Sequence, residues 1–276
     1  MGLLKKLRLW RYIRRFPDYR PQPVTVGRLE SWTSQFSEKD AKAARTLLDR
    51  IVYLSEEKVQ KILVEQNRAL SARLRRAGIA PDHTVYVSLH DAGSSSPVML
   101  NLLRDAAGLE RSGCHLIDGH NGILLNKVTN ELAEGAVVYV DDFAGTGMQF
   151  CKTRKFVAQS IVGNFSEFLL VPCLCEEAIH RLGREGIDFY TGMVHTRAER
   201  PLHENSPILD QETKDRFRQM SLGIHSRVGL GFSGLATMVV LYRNAPNTTP
   251  LIIRGNLDQK NFVGIFPRTT DLPIAG

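Results

Sequence analysis

The 276-residue sequence has few cysteines and no run of apolar residues long enough to span a membrane. Its four cysteines show no Cys-x-x-Cys spacing and its eight histidines are scattered, so a zinc site is not predicted. A secretory signal pattern is also missing. We therefore expect a cytoplasmic protein with reduced, partly buried thiols and the composition of an ordinary globular domain.

Acidic residues are almost missing from the first 28 positions, which hold Asp18 alone against eight Lys and Arg residues. The rest of the chain carries 28 bases and 28 acids, so the net charge of +7 belongs to this N-terminal arm. Apolar residues recur in the arm at helical spacing until Pro17, which predicts a cationic amphipathic helix. Such a helix packs on its own domain, lies on a membrane, or contacts nucleic acid or a protein partner. The candidate contact residues are Lys5, Lys6, Arg8, Arg11, Arg14 and Arg15.

A predicted buried strand, two carboxylates and a small-residue turn follow one another near the middle of the chain. Residues 137–140 are β-branched, aromatic or otherwise apolar, as in a strand covered on both faces. Asp141 and Asp142 follow where that strand ends, and ligands of open α/β sheets bind beyond the carboxyl ends of strands. The next residues lead into a helix, where free amides favour an anion. Acids beside a phosphate cradle predict a sugar-phosphate site, whose cradle comprises Ala144, Gly145, Thr146, Gly147 and Met148.

A second loop of small polar residues follows a predicted strand at 84–89. It runs from His90 to Ser96, just before a proline that suits a helix start. Such a loop can hold another anion, and the alternative is a flexible serine-rich turn. Further strands are predicted at 114–118, 167–175 and 187–194. They alternate with helical segments, which indicates a parallel sheet with right-handed crossovers.

The segments on either side of this core are less regular. Residues 21–36 contain prolines and are predicted to be a linker, whereas apolar residues from Leu47 to Leu54 trace one helix face, and Ser55 starts a second helix. The segment 229–234 fits the G-x-G-x-x-G pattern. We reject it as a dinucleotide site because strand-like residues follow it, where that motif needs a helix.

The central motif resembles the phosphoribosyltransferase signature, in which apolar residues precede Asp-Asp or Asp-Glu, two variable residues, Thr-Thr-Gly, one variable residue and Thr. The matching residues are Asp141, Asp142, Thr146 and Gly147. Gly145 and Gln149 replace the first and last threonines. Three further segments resemble a branch of this superfamily from bacterial conflict and antiphage systems, of which some members are encoded beside retron reverse transcriptases. These segments are 32–36, 242–250 and 264–268.

The resemblance implies a type I phosphoribosyltransferase-like α/β fold, with a parallel sheet flanked by helices, a helical N-terminal region and a variable hood. Residues 1–28 are then a basic arm and linker, and residues 29–276 form the domain. Within that domain we expect a helical cover at 37–80, the core at 84–194 and the hood at 195–276.

The resemblance also implies a sugar phosphate, such as phosphoribosyl pyrophosphate, bound with Mg²⁺. Asp141 and Asp142 would hold the ribose hydroxyls directly or through the metal, and residues 144–148 would hold the 5′-phosphate. Asp91 and Asp142 would lie near the metal. Pyrophosphate would be held by Ala92, Gly93 and Ser94. In the hood, a polar stretch could reach the substrate or remain a solvated loop, and its candidates are Arg197, Arg200 and His203.

Three hypotheses follow for the function. The first is an enzyme that transfers or cleaves a glycosidic bond of a nucleotide or base, as a toxin effector. The second is a nucleotide-binding regulator without turnover, which Gly145 and Gln149 favour. The third is a subunit bound to nucleic acid or to a defence partner such as a reverse transcriptase, which the basic arm favours. A homo-oligomer is compatible with each hypothesis.

Overall fold

A computed structural model describes residues 3–89, 95–255 and 262–271, with the backbone alone for residues 3–8 and 271. The described helices are α1 (Leu3–Arg15), α2 (Val26–Thr33), α3 (Ala41–Arg50), α4 (Glu56–Arg76), α5 (Ser95–Ala107), α6 (Gly122–Leu132), α7 (Met148–Ala158), α8 (Glu176–Arg184), α9 (Gln211–Ile224) and α10 (Leu251–Arg254). The described strands are β1 (Val52–Leu54), β2 (Thr84–Ser88), β3 (His115–Asp118), β4 (Glu134–Val140), β5 (Phe143–Ala144), β6 (Asn164–Cys175), β7 (Asp188–His195) and β8 (Val239–Leu241).

The chain divides into two units, Glu57–Val194 and a second unit formed by Met1–Glu56 with His195–Gly276. The first unit carries a sheet in the order β3–β2–β4–β6–β5, and β7 also pairs with β6. The β2–β3, β2–β4, β4–β6 and β5–β6 pairs are parallel. The predicted fold class, a parallel sheet flanked by helices, is confirmed.

Alternate residues of β2 and β4 pack into two layers of helices, because successive side chains of a strand point to opposite faces. Val87 and Tyr139 belong to a buried cluster that includes Phe150 of α7 and Ala178 of α8. On the other face, the Tyr86 hydroxyl donates to the side chain of an α4 residue, Asn67. With cover on both faces, every residue of β2 is buried.

The second unit contains a parallel pair formed by β1 and β8, with Val52 opposite Val239. Aromatic rings from distant parts of the sequence meet there. The Phe16 centroid lies 5.0 Å from that of Phe266 and 5.4 Å from that of Tyr53. These edge-to-face contacts fix the residue that follows α1 within the core of the unit.

One of the segments that resemble the phosphoribosyltransferase branch, 32–36, contacts residues close to the other two segments. The Trp32 indole N–H donates to the Ile252 carbonyl oxygen at 2.7 Å, and the Gln35 side chain exchanges two hydrogen bonds of 2.9 Å with the Val263 backbone. Gly264 passes so close to α10 that a Cβ there would lie 2.0 Å from the Arg254 carbonyl carbon. Segment 32–36 is therefore tied to residues beside segments 242–250 and 264–268.

The predicted linker at 21–36 is wrong, because α2 occupies half of it. Thr25 begins this helix, and its hydroxyl accepts the Arg28 N–H at 3.2 Å. Leu29 and Trp32, three positions apart, are both buried. The prolines lie before the cap, where they do not interrupt a helix.

The predicted helix over residues 47–54 is also wrong at its end. α3 stops at Arg50, and the chain continues as β1. The Val52 N–H donates to the Met238 carbonyl oxygen at 2.8 Å, next to the pairing with β8. A strand partner nearly 200 positions away therefore overrides the local helical pattern.

Helix length and hydropathy decide whether a helix can cross a membrane. Among the described helices, none is both long and apolar enough to cross a bilayer.

Candidate functional site

β4 and β5 form one interrupted ladder against β6, and Asp141 and Asp142 occupy the interruption. The register is the same on both sides of the gap, since each residue pairs with the one 30 positions later. The Asp141 N–H still donates to the Leu170 carbonyl oxygen at 3.0 Å. The two acids thus stand at the carboxyl end of β4, where α/β sheets bind ligands.

The partner strand explains why the ladder breaks there. Continued by the same register, Asp142 would face Pro172. Proline has no N–H and cannot donate to a ladder, so it occurs where strand pairing is interrupted. Asp142 is therefore released from regular strand pairing, whereas Asp141 keeps its hydrogen bond to Leu170.

Asp141 is the buried member of the pair, with 7 % of its surface exposed. Its Oδ1 accepts the Asp142 N–H at 2.9 Å and the Ser95 hydroxyl at 3.3 Å. Burial raises the pKa of Asp141 to about 6, although these hydrogen bonds act in the opposite direction. The Asp141 carboxylate therefore holds the backbone between β4 and β5 in shape.

Asp142 is half-buried and is the more accessible carboxylate of the pair. Its backbone is fixed by the bond to Asp141, so its position relative to the turn is set. An accessible, positioned carboxylate can accept hydrogen bonds from ligand hydroxyls. The two acids thus differ in environment although they are adjacent in sequence.

The turn after the acids leads directly into α7. Gly147 begins the helix in the left-handed region, at φ +69°, where glycine is favoured. The Thr146 hydroxyl accepts the Met148 N–H at 3.3 Å, whereas the amides of Gln149 and Phe150 have no protein acceptor within the described chain. Free amides at the start of a helix suit an anion such as a phosphate.

Arg181 of α8 also contacts this turn. Its Nε donates to the Thr146 carbonyl oxygen at 2.8 Å, and a Cβ on Gly147 would lie 3.4 Å from its Cδ. Sequence reasoning missed this residue because no spacing rule connects position 181 with position 146. The signal available was a basic residue on the helix that follows the next strand.

The second predicted loop is described only at its end. Asp91, Ala92, Gly93 and Ser94 lie outside the described residues. Ser96, which follows them, is fully buried; its hydroxyl donates to the Val140 carbonyl oxygen and accepts the Leu89 N–H at 2.9 Å. Together with the contact between Ser95 and Asp141, this joins the ends of β2 and β4. Sequence reasoning placed both serines in the candidate anion loop but did not predict that they join the two strands.

The acids of the site determine which kind of metal ion the site could hold. Across the described ranges, no three His, Cys, Asp or Glu side chains converge. Mg²⁺ commonly keeps several waters and binds one or two carboxylates together with substrate phosphates. The half-buried Asp142 supplies one such carboxylate. The donor set therefore fits a magnesium ion that enters with a phosphate ligand, and it does not form an all-protein cage.

The described basic side chains of the N-terminal arm differ in their contacts. Arg15 donates to the carbonyl oxygens of Leu48, Asp49 and Ile51, at and just beyond the end of α3. Arg11 donates to the Asp49 carboxylate at 2.7 Å. Arg14 is exposed. The remaining candidates, Lys5, Lys6 and Arg8, have side chains outside the described part of the chain.

The hood candidates are separated by their burial. Arg200 is fully buried, and its guanidinium donates to the His195 carbonyl oxygen at 2.7 Å, so it is neither a solvated residue nor an accessible one. Arg197 is exposed, and the half-buried His203 accepts the Asn205 N–H through Nδ1 at 3.2 Å. The prediction that Arg200 lies in a solvated loop or reaches a substrate is therefore wrong.

The chain is similar to two solved structures at low sequence identity, and it matches one family model. An orotate phosphoribosyltransferase from Aeropyrum pernix is similar at 20 % identity and a TM-score of 0.34, over 49 % of this chain and 68 % of that one. A hypothetical Neisseria gonorrhoeae protein with bound ppGpp is similar at 15 % identity and a TM-score of 0.35, over 62 % and 97 % respectively. No curated protein matches significantly. The PRTase-CE family model matches residues 29–268, and the chain therefore belongs to this phosphoribosyltransferase-like family.

Proposed function

We propose that this protein binds a ribose 5-phosphate ligand, either phosphoribosyl pyrophosphate or a nucleotide, and acts at its anomeric carbon. The observation that carries the proposal is the interrupted ladder, which places Asp142 beside a turn whose helix begins with free amides. Membership of a phosphoribosyltransferase-like family supports a ribose-phosphate-related function. The two features together favour a sugar phosphate over a simple anion, because hydroxyl acceptors and phosphate donors stand side by side.

Each part of the site would have its own task. Asp142 would accept hydrogen bonds from the ribose 2′- and 3′-hydroxyls, while Asp141 keeps the intervening backbone in place. The amides of residues 144–150 would hold the 5′-phosphate at the start of α7. Asp91 and Asp142 would hold Mg²⁺, which neutralises charge on the departing pyrophosphate when bound. By family resemblance, pyrophosphate would be held by Ala92, Gly93 and Ser94.

The proposed reaction breaks the bond between the anomeric carbon and its leaving group. The electron pair of that bond leaves with the leaving group, and a base nitrogen or water supplies the pair for the new bond. The proton that this nucleophile gives up passes to the leaving group or to solvent. The carbon passes through an oxocarbenium-like state, for which positioning and charge stabilisation are the main requirements. A carboxylate near the ribose stabilises the positive charge that develops, so Asp142 contributes electrostatically as well as by binding.

A nucleotide-binding regulator is the second candidate function. Gly145 and Gln149 stand where the family signature has threonines, so two hydroxyl donors to the phosphate are missing. Binding through backbone amides survives this loss, whereas turnover is more sensitive to the geometry of the phosphate. A protein that binds ribose phosphates and forms no product under any condition would match this candidate.

A product screen with phosphoribosyl pyrophosphate, nucleotides and free bases in the presence of Mg²⁺ separates the two candidates. We expect product from the wild type and none from a variant with both Asp141→Asn and Asp142→Asn. Binding of ribose 5-phosphate without any product would favour the regulator. Unchanged product formation by the double variant would exclude the site itself.

We also propose that the activity belongs to a cytoplasmic toxin effector of a retron-type antiphage system. The support is the resemblance of residues 32–36, 242–250 and 264–268 to members of such systems. The test is co-expression with the neighbouring genes during phage infection. Growth arrest that needs Asp142 is expected, and arrest that is indifferent to Asp142→Asn would contradict this role.

A further inference from the structure

We infer that Arg181 positions the phosphate loop, defined as residues 144–148, by holding the Thr146 carbonyl oxygen and so directing the Gly147 N–H toward the ligand. The inference deepens the proposed function and rests on it for the identity of the ligand. It assigns to α8 a part in a site that otherwise consists of residues between β4 and α7. Arg181 is a positioning residue, because it acts through the Thr146–Gly147 peptide.

The orientation of one peptide bond carries the argument. The Arg181 Nε donates to the Thr146 carbonyl oxygen at 2.8 Å, from the side of α8. The described chain contains no cis peptide bond, and in a planar trans peptide the N–H points opposite to the carbonyl. The Gly147 N–H is therefore directed away from α8. A rotated peptide would present a carbonyl oxygen to the phosphate instead.

The loop has an unusual backbone that needs such support. Gly147 is at φ +69°, and an added Cβ would lie 3.4 Å from the Arg181 Cδ and 3.5 Å from the Ala178 Cα. The backbone of the loop therefore packs directly on α8, and Ala178 below it is fully buried. Because glycine tolerates many conformations, an external hydrogen bond selects the one that is used.

The charge of Arg181 also suits an anion site. No carboxylate of the described residues lies within ion-pair distance of its guanidinium. Glu185, one helical turn further along α8, pairs instead with Lys155 at 2.8 Å. A partly buried cation with no carboxylate partner in the described part of the chain, beside free helix amides, adds positive potential where a phosphate would bind. It also offers donors that compensate for the missing threonine at Gly145.

Three substitutions separate the hydrogen bond from the charge. Arg181→Gln keeps an N–H donor at the Nε position and removes the charge, whereas Arg181→Lys keeps the charge and moves the donor. Arg181→Met keeps the aliphatic stem and removes both. Arg184→Met is the matched control, because Arg184 lies on the same helix and is exposed.

Two measurements are made on each variant of the full chain. The NMR resonances of the Thr146 carbonyl carbon and the Gly147 amide report the peptide orientation without ligand. Calorimetric titration with ribose 5-phosphate reports binding.

We expect Arg181→Met to shift both resonances and to weaken binding about tenfold, as for a hydrogen bond from a charged donor. Arg181→Gln should keep the resonances and lose only about threefold in affinity, as for one partly screened charge. Arg184→Met should change neither.

The outcomes distinguish this inference from the proposed function. If Arg181→Met leaves both resonances unchanged, Arg181 does not position the loop, whatever the affinity shows. If Arg181→Gln keeps the resonances but binds as weakly as Arg181→Met, the charge matters and the positioning claim is wrong. If the wild type binds no ribose 5-phosphate while Arg181→Met still shifts the resonances, the positioning stands and the proposed ligand is wrong.

Discussion

The backbone N–H of Asp142 donates to the Oδ1 of Asp141 at 2.9 Å, so one carboxylate fixes the peptide that carries the other. Asp141 is buried and also receives the Ser95 hydroxyl, whereas Asp142 is half-buried. An adjacent acidic pair is thus divided into a buried supporting residue and a more exposed residue. The pair therefore predicts different consequences for two substitutions of the same kind.

Asp142→Asn should weaken ribose 5-phosphate binding more than Asp141→Asn. Asn at 142 loses the charge that accepts the ribose hydroxyls, whereas Asn at 141 keeps an Oδ1 that can accept the Asp142 N–H. We expect a loss of about tenfold for Asp142→Asn and a smaller loss for Asp141→Asn. Calorimetric titration of the two single variants checks this order, and the reverse order would refute the division of roles.

Asp141→Asn should make the fold more stable than the wild type, by a difference that grows as the pH rises from 4 to 7. The pKa of Asp141 is about 6 in the folded chain, against an ordinary value of 3.8. Between these values the folded state binds more protons, so wild-type stability falls with rising pH, by about 3 kcal/mol in all. Asn does not titrate and avoids this loss.

Urea unfolding at several pH values measures the difference in unfolding free energy between the variant and the wild type. This difference should be absent below pH 3.8, grow up to about pH 6 and then stay constant. A difference that is independent of pH would contradict the burial argument.

The parallel sheet and the Asp141–Met148 motif were predictable because both depend on local sequence. Residues 137–140 have the apolar pattern of a buried strand, and the acids and glycines follow at fixed spacing. The role of Pro172 was not visible, since it depends on the register between β4 and β6. Arg181 and the contact between Ser96 and Val140 were missed for a similar reason: their partners are backbone carbonyl groups, which any residue carries.

The second unit shows the limit of periodicity. Residues 51–54 continue a helical apolar pattern, yet they form β1 because Val52 pairs across the chain with β8. Arg200 occurs in a polar stretch that predicts a solvated loop, yet backbone carbonyl groups hold it in the core. Long-range partners decide both cases, and no short window of sequence contains them. The predicted division into arm, cover, core and hood cuts the chain at other points and stays a prediction.

Gly147→Ala should weaken phosphate binding beyond its effect on stability. The residue is at φ +69°, where a side chain costs about 1 kcal/mol, and its Cβ would contact Arg181. Gly186→Ala is the matched control, because Gly186 has φ +68° and open space around its Cβ. Both variants should lose similar stability, and only Gly147→Ala should lose affinity for ribose 5-phosphate. Equal affinities of the two variants for ribose 5-phosphate would show that the turn at Gly147 does not contact the phosphate.

Phe16→Ala should destabilise the protein by about 3 kcal/mol, as for a large buried ring. Phe16 is 1 % exposed and contacts Tyr53 and Phe266. Thermal unfolding measures the effect, and Trp10→Ala is the control, since Trp10 is 52 % exposed. Similar losses for both variants would mean that the residue after α1 does not belong to the core.

Charge on the arm should influence the binding of nucleic acid. Arg14→Gln, alone or with Lys5→Gln, Lys6→Gln and Arg8→Gln, should reduce the salt-dependent part of RNA or DNA binding. Arg15→Gln should instead reduce stability, because Arg15 binds carbonyl groups at the end of α3. Fluorescence anisotropy at several salt concentrations measures the binding. An unchanged salt slope in the fourfold variant would leave the arm a packing element.

The most direct test of the site is a calorimetric titration of ribose 5-phosphate, with Mg²⁺, into the wild type and into the variant with both Asp141→Asn and Asp142→Asn. Ribose and inorganic phosphate serve as separate control ligands. We predict that the wild type binds ribose 5-phosphate more tightly than either control ligand and that the double variant loses this preference. Equal binding of ribose 5-phosphate by the two proteins would contradict the sugar-phosphate site at Asp141–Met148.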